Sequence, residues 1–197
     1  MCFGPSLVSI LPDLPPGDWN DGLVTKDATG QAYFASVKLT QFPGVENHWH
    51  ETYVDCLELS FVRKLRTGLY EVNCPSVDGS LVTKFARFPW EIQYIENETS
   101  AYQWITGYGI GPRFPGHLTE NSRVIGFLME YISNARHADA QDVGICREVL
   151  SQLHGIGILH GDTNRFNFLI HDYLVVTFDR TASLAFETKE VFEGYCV

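Results

Sequence analysis

LHGIGILHGDTNRFNFLI, residues 153–170, is the stretch whose reading decides the fold. Leu153 closes an apolar-periodic run, and Gly155 and Gly157 then stop it, since glycine is the residue best suited to ending a helix. A His160-Gly161-Asp162 turn follows, Asn167 stands five residues beyond Asp162, and Phe168-Leu169-Ile170 is apolar enough for a short strand. The order is therefore helix, tight turn, polar loop, strand. A carboxylate and an amide oxygen are held on one short loop. Asp and Asn also cap turns by bonding their own backbone, so this segment alone does not separate chemistry from architecture.

Working outward, Asp139 is a suitable N-cap for a helix over 139–155 that carries Val143, Cys146, Val149, Leu150 and Leu153. Pro89 opens a second helical pattern over 89–106, with Ile95, Tyr102 and Ile105 on one stripe and Glu98 on that same stripe. A carboxylate on a packing face calls for a cationic partner. The chain before residue 89 reads mostly as β: a hairpin of 23–26 and 31–39 around Asp27-Ala28-Thr29-Gly30, a strand over 54–62, another over 69–73, a turn at 75–79 and a strand over 81–86. Residues 11–22, rich in Pro, Gly and Asp, form an arm without regular ladders. Strands 168–170 and 174–176, joined by a tight turn, complete an α+β pattern.

At 197 residues, with 45% hydrophobic and 13% aromatic content, the chain is long enough for one core and too apolar for global disorder. Asp and Glu number 24 against 14 Lys and Arg, a net charge of −10 that argues against nucleic acid and an anionic membrane surface as partners. No apolar run approaches a membrane span. The five cysteines are scattered without a C-x-x-C pair, and no basic flank with a long apolar run marks a signal peptide. These features predict reduced thiols and a cytoplasmic location.

The parts occur in an order that resembles the protein kinase-like superfamily, in the H-G-D form of aminoglycoside and choline kinases. Lys84 ends the strand LVTK, Glu98 follows on a helix, GFLMEYI (126–132) resembles a hinge, and H-G-D and Asn167 come last. PWEIQYIENETSAYQWI, IGPRFPGH and HGDTNRFNFL look closest to small kinase-like proteins of filamentous fungi. The resemblance, over roughly residues 56–182, implies a two-lobed kinase-like fold with a β-rich N-lobe and a truncated C-lobe. Residues 1–55 would then be an N-terminal arm and extra hairpin packing on the N-lobe, 56–128 the N-lobe with one helix, and 129–197 the hinge and truncated C-lobe with the catalytic loop.

The same resemblance implies an ATP-dependent phosphotransferase acting on a small molecule or an exposed residue. Asp162 would be the base, and Asn167, with Asp179, would hold Mg²⁺. Lys84 would steady the phosphates as the ion-pair partner of Glu98, with Met129 as gatekeeper and the backbone of Glu130 to Ile132 facing the adenine. His160 would brace the loop. Thr177-Phe178-Asp179 stands where the family carries an Asp-Phe-Gly type of triplet, so a neutral hydroxyl replaces the principal metal carboxylate. Two alternatives follow from that change: a pseudokinase serving as a binding or scaffold module, and a kinase fold turned to other chemistry on a metabolite.

Other features receive ordinary readings. Arg63, Lys64 and Arg66, in RKLRTG, form a solvated turn with one glycine where the family often has several. His48 and His50 lack a third ligand at zinc spacing and are structural or surface residues. Asn97-Glu98-Thr99 matches a glycosylation acceptor but falls inside the predicted helix. Cys56 and Cys146 lie in apolar runs and read as small core residues.

Overall fold

A computed structural model describes residues 11–171, together with the backbone of two short strands beyond them. The chain divides into two compact units, 1–42 and 43–197. Residues 43–55, assigned from sequence to the N-terminal arm, thus belong to the second unit.

In the first unit the predicted hairpin is present. Strands β1 (Asp21–Lys26) and β2 (Ala32–Lys38) pair antiparallel with a bulge at Leu23/Val24. Asp27 shapes the turn: its Oδ1 accepts from the Thr29 N–H, the Thr29 hydroxyl and the Gln31 N–H. Gly30, at φ +86°, supplies the left-handed backbone that the turn needs.

The second unit is built on β3 (Tyr53–Asp55), β4 (Ser60–Arg66), β5 (Leu69–Cys74), β6 (Val77–Phe85), helix α1 (Ile92–Ile105), β7 (Gly116–Glu120) and β8 (Arg123–Glu130). Then come β9 (Arg136–His137), helix α2 (Val143–Gly155), β10 (Ile158–Leu159), β11 (Phe168–Ile170), β12 (Leu174–Val176) and β13 (Ser183–Leu184). The chain is α+β, with two α-helices among the described residues and a mixed six-stranded sheet in the order β3-β7-β8-β6-β5-β4. Smaller sheets join β12-β11-β9 and β10-β13.

The single strand predicted over 54–62 is corrected: it is two strands on opposite edges of the sheet. The cause is a capping box between them. The Asp55 carboxylate accepts the Leu57 N–H while the Glu58 carboxylate accepts the Asp55 N–H, and residues 56–58 wind into one 3₁₀ turn. β3 then pairs parallel with β7, whereas β4 pairs antiparallel with β5.

β8 lies at the sheet's centre, and Val124 to Met129 are buried without interruption. Its neighbours in sequence face opposite ways. Phe127 and Met129 join Ile95, Tyr102 and Ile105 of α1 and Val149 and Leu153 of α2 in one core, while Ile125 and Leu128 join Leu81, Val72, Val54 and Leu118 in a second. Gly126 lets β6 and β8 approach: a Cβ there would meet the Lys84 carbonyl oxygen at 2.3 Å. Residues 43–52 strap across α1. The Glu96 carboxylate accepts the N–H groups of Glu46 and Asn47, and the Trp49 indole N–H donates to the Thr99 carbonyl. No described helix is long and apolar enough to cross a membrane.

Candidate functional site

A cleft of about 600 Å³ opens in the second unit. One wall is Leu65 and Arg66 at the end of β4, with Leu69, Val82 and Lys84; the far wall is Ala135, His137, Asn164, Phe166 and Leu169. Met129 to Ile132 join them at the back.

Register brings Lys84 here. It stands opposite Phe127 of β8 and Leu69 of β5, with its side chain on the same face as α1. Its Nζ lies 2.7 Å from Glu98 Oε2, and the Glu98 side chain is only 1% exposed. The carboxylate on the packing stripe of α1 has the cationic partner that its position demanded. Such a pair is strongly destabilised by losing one member, because the survivor is left as an uncompensated buried charge.

At the back of the cleft, Met129 receives the Tyr102 hydroxyl on its sulfur at 3.6 Å. The N–H of Glu130 donates to the Arg113 carbonyl and that of Tyr131 to the Ser80 carbonyl. Among the described residues the Ile132 N–H has no acceptor, so of the three it is the one available to a ligand.

The H-G-D segment is wound by local hydrogen bonds. Gly161 takes φ +77°, and the Asp162 N–H donates to Nδ1 of His160, which is buried and stacked on Phe168. His160 therefore braces the loop. Asp162 Oδ1 accepts from the N–H and side-chain amide of Asn164, and Oδ2 accepts from the amides of Asn164 and Asn167. Four contacts on a group with about four lone-pair sites leave the carboxylate oriented and fully occupied.

Asn167 is completely buried and spends its amide N–H groups on the backbone and side chain of Asp162. Its Oδ1 is buried with no hydrogen-bond partner among the described residues. An amide oxygen without a donor, beside a carboxylate, suits a hard divalent cation such as Mg²⁺, which prefers oxygen ligands. Thr177 and Asp179, which the sequence reading placed at the same metal, lie outside the described residues. Among those described, no three His, Cys, Asp or Glu side chains converge as a metal site.

Two wall residues were not among the site residues expected from the sequence. Asn164 orients Asp162 and, through its Oδ1, caps the 3₁₀ turn by accepting the Phe166 N–H at 2.8 Å. The D-T-N spacing was the signal for it, since Asx side chains bond two residues on. The second is Arg66. Arg63 is tied to Glu71 and the Tyr131 hydroxyl, and Lys64 is exposed. Arg66 lines the cleft instead, so the solvated-turn reading fails for this one residue.

His48 and His50 sit outside the cleft, around His117. The His50 N–H donates to His117 Nε2, and Tyr53 and Phe114 pack on that ring. His117 is fully buried, and desolvation, followed by the nearby imidazoles of His48 and His50, lowers its pKa to about 4. Cys56 and Cys146 are half-buried free thiols whose pKa values burial pushes up, consistent with packing rather than reactivity.

No protein-family model matches the chain, and no curated protein matches it.

Proposed function

We propose that the chain binds ATP in this cleft and transfers the terminal phosphate to a hydroxyl of a small molecule or an exposed residue. The observation that supports the reading is the buried, donor-free Oδ1 of Asn167 beside Asp162, on the loop whose Asn164 and Phe166 line the same cleft as Lys84, the ion-pair partner of Glu98. The resemblance of the sequence to kinase-like proteins supports the same assignment.

In this reading the adenine lies between Val82 and Leu169 against the free N–H of Ile132, and Lys84, held straight by Glu98, neutralises phosphate oxygens. Mg²⁺, if bound, would supply further positive charge against those oxygens, with Asn167 Oδ1 as the described group that would hold it and Asp179, outside the described residues, as the second. The acceptor hydroxyl oxygen attacks the γ-phosphorus. A new P–O bond forms, the bond to the β,γ-bridging oxygen breaks, and ADP leaves. The hydroxyl proton passes to Asp162 as the Asn164 amide withdraws.

A second reading, a nucleotide-binding module without transfer, is favoured by Thr177 in the sequence and by the full occupation of Asp162. One experiment separates the two. Thermal unfolding is followed with ATP, ADP and AMP, with and without Mg²⁺, and ATP turnover is measured in the wild type, Asp162→Asn and Lys84→Ala. Ligand that binds only the folded state raises its stability. For a phosphotransferase, Asp162→Asn keeps the ATP shift and loses turnover, whereas Lys84→Ala loses both. An ATP shift with equal turnover in wild type and Asp162→Asn selects the binding module. No shift at millimolar ATP overturns both.

A further inference from the structure

The cleft does not share the acidic excess of the chain around it. Although acidic residues outnumber basic ones by 24 to 14, Glu130 is the one acidic residue among those lining the cleft, against Arg66 and Lys84. Lys84 is matched by Glu98. Arg63, Arg87, Arg123 and Arg136 are each paired with a carboxylate, but Arg66 has no carboxylate partner among the described residues.

A second cationic group stands beside the cleft residue Phe166. Phe166 lines the cleft beside His137, their ring centroids 5.2 Å apart and edge to face, and the guanidinium of Arg165 lies over the same phenyl ring at 5.2 Å. Arg165 also has no carboxylate partner among the described residues. Arg66 lines the cleft with His137, and burial, followed by the charges of Arg66 and Arg165, holds the His137 imidazole below its ordinary pKa. Two guanidiniums without carboxylate partners beside an imidazole suit a doubly charged oxyanion.

We propose that Arg66, His137 and Arg165 form an oxyanion subsite at the mouth of the cleft that holds the phosphate group of a phosphorylated acceptor, apart from the phosphates of the nucleotide. The charge fits a phosphomonoester, which carries nearly two negative charges at neutral pH, better than a single carboxylate. That the anion belongs to an acceptor rests on the phosphotransferase reading; that the site binds an oxyanion does not.

Inorganic phosphate is the probe. Its binding to the full chain is measured by calorimetry, with the histidine ring resonances followed in parallel. The comparison covers the wild type, the double variant Arg66→Gln/Arg165→Gln, and Lys84→Met, each with and without saturating ATP. The expected result is phosphate binding that perturbs His137, weakens about tenfold or more in the double variant, and persists in Lys84→Met and beside ATP. Should the double variant unfold early, Arg165→Gln alone, at an exposed position, is expected to weaken binding severalfold. Binding lost in Lys84→Met and intact in the double variant, or abolished by ATP, assigns the anion to the nucleotide's own phosphate position and overturns the proposal. Absence of binding at about 10 mM overturns it as well. If ATP binds none of the proteins while phosphate follows the expected pattern, the nucleotide reading falls and the subsite stands.

Discussion

His117 shows what one buried side chain does to the whole stability curve. Its folded-state pKa of about 4 lies below the ordinary 6.5, so between these values the unfolded chain binds the extra proton and the folded chain does not. Stability contributed by the neutral ring is full above about pH 6.5 and is lost as pH falls toward about 4. The linkage is worth on the order of 3 kcal/mol at most. Urea unfolding across that range is expected to show the decline, and His117→Gln, which keeps an acceptor for the His50 N–H, to flatten it. Asn167 offers a second test at this scale. Asn167→Ala removes the donor-free oxygen and the amide that holds Asp162, so the Mg²⁺ contribution to nucleotide affinity should fall while affinity in EDTA changes little. An unchanged Mg²⁺ effect would move the metal to other ligands.

Among the elements, β6 and β8 make the most demanding contact, because Gly126 leaves no room for a side chain against the Lys84 carbonyl. Gly126→Ala should therefore cost about 3 kcal/mol or prevent folding, read by chemical denaturation, since relief requires the two central strands to part. The capping box after β3 is milder: Asp55→Ala is expected to cost about 1 kcal/mol. These two places also mark how far the sequence could be read. The helix stripe with Glu98, the hairpin at Asp27 and the H-G-D turn were legible because each depends on residues within about two turns, whereas Asp139, read as the cap of the helix itself, caps a 3₁₀ turn over Ala140–Asp142 and the α-helix starts only at Val143. The break at residues 56–58 was not, since alternating apolar residues continue through it and only the reciprocal bonds of Asp55 and Glu58 interrupt them. β7 also went unread; its hairpin to β8 turns on Asn121 and Ser122, both at positive φ, which lacks the glycine that usually advertises such a turn. Of the candidate site, Lys84, Glu98, Asp162 and Asn167 could be chosen by order and spacing, whereas Arg66 could not be told from Arg63 and Lys64. Which of the three faces the cleft depends on strand register and on the bulges of β4.

For the molecule as a whole, the acidic surface and the cationic cleft mouth act on association in opposite senses. Added salt is expected to weaken phosphate binding, because the attraction to Arg66 and Arg165 is screened within roughly 8 Å at physiological ionic strength. Calorimetry at low and high ionic strength checks the sign. The order of strands carries a different consequence. β4, β5 and β6 follow one another in sequence and in space, so that meander can assemble as soon as Phe85 has left a ribosome. Val54, by contrast, has its partner at Leu118, and Lys84 finds Phe127 only later still. A nascent chain paused before Gly116 would display the open edge of β6, with Lys84 and Glu98 already synthesised but Phe127 and Met129, which complete their side of the sheet, still to come. Emergence of β8 joins β7 to that half-sheet, so the central strand sets the moment at which translation can close the sheet, and Val149, Leu153 and Phe168 complete the core only afterwards.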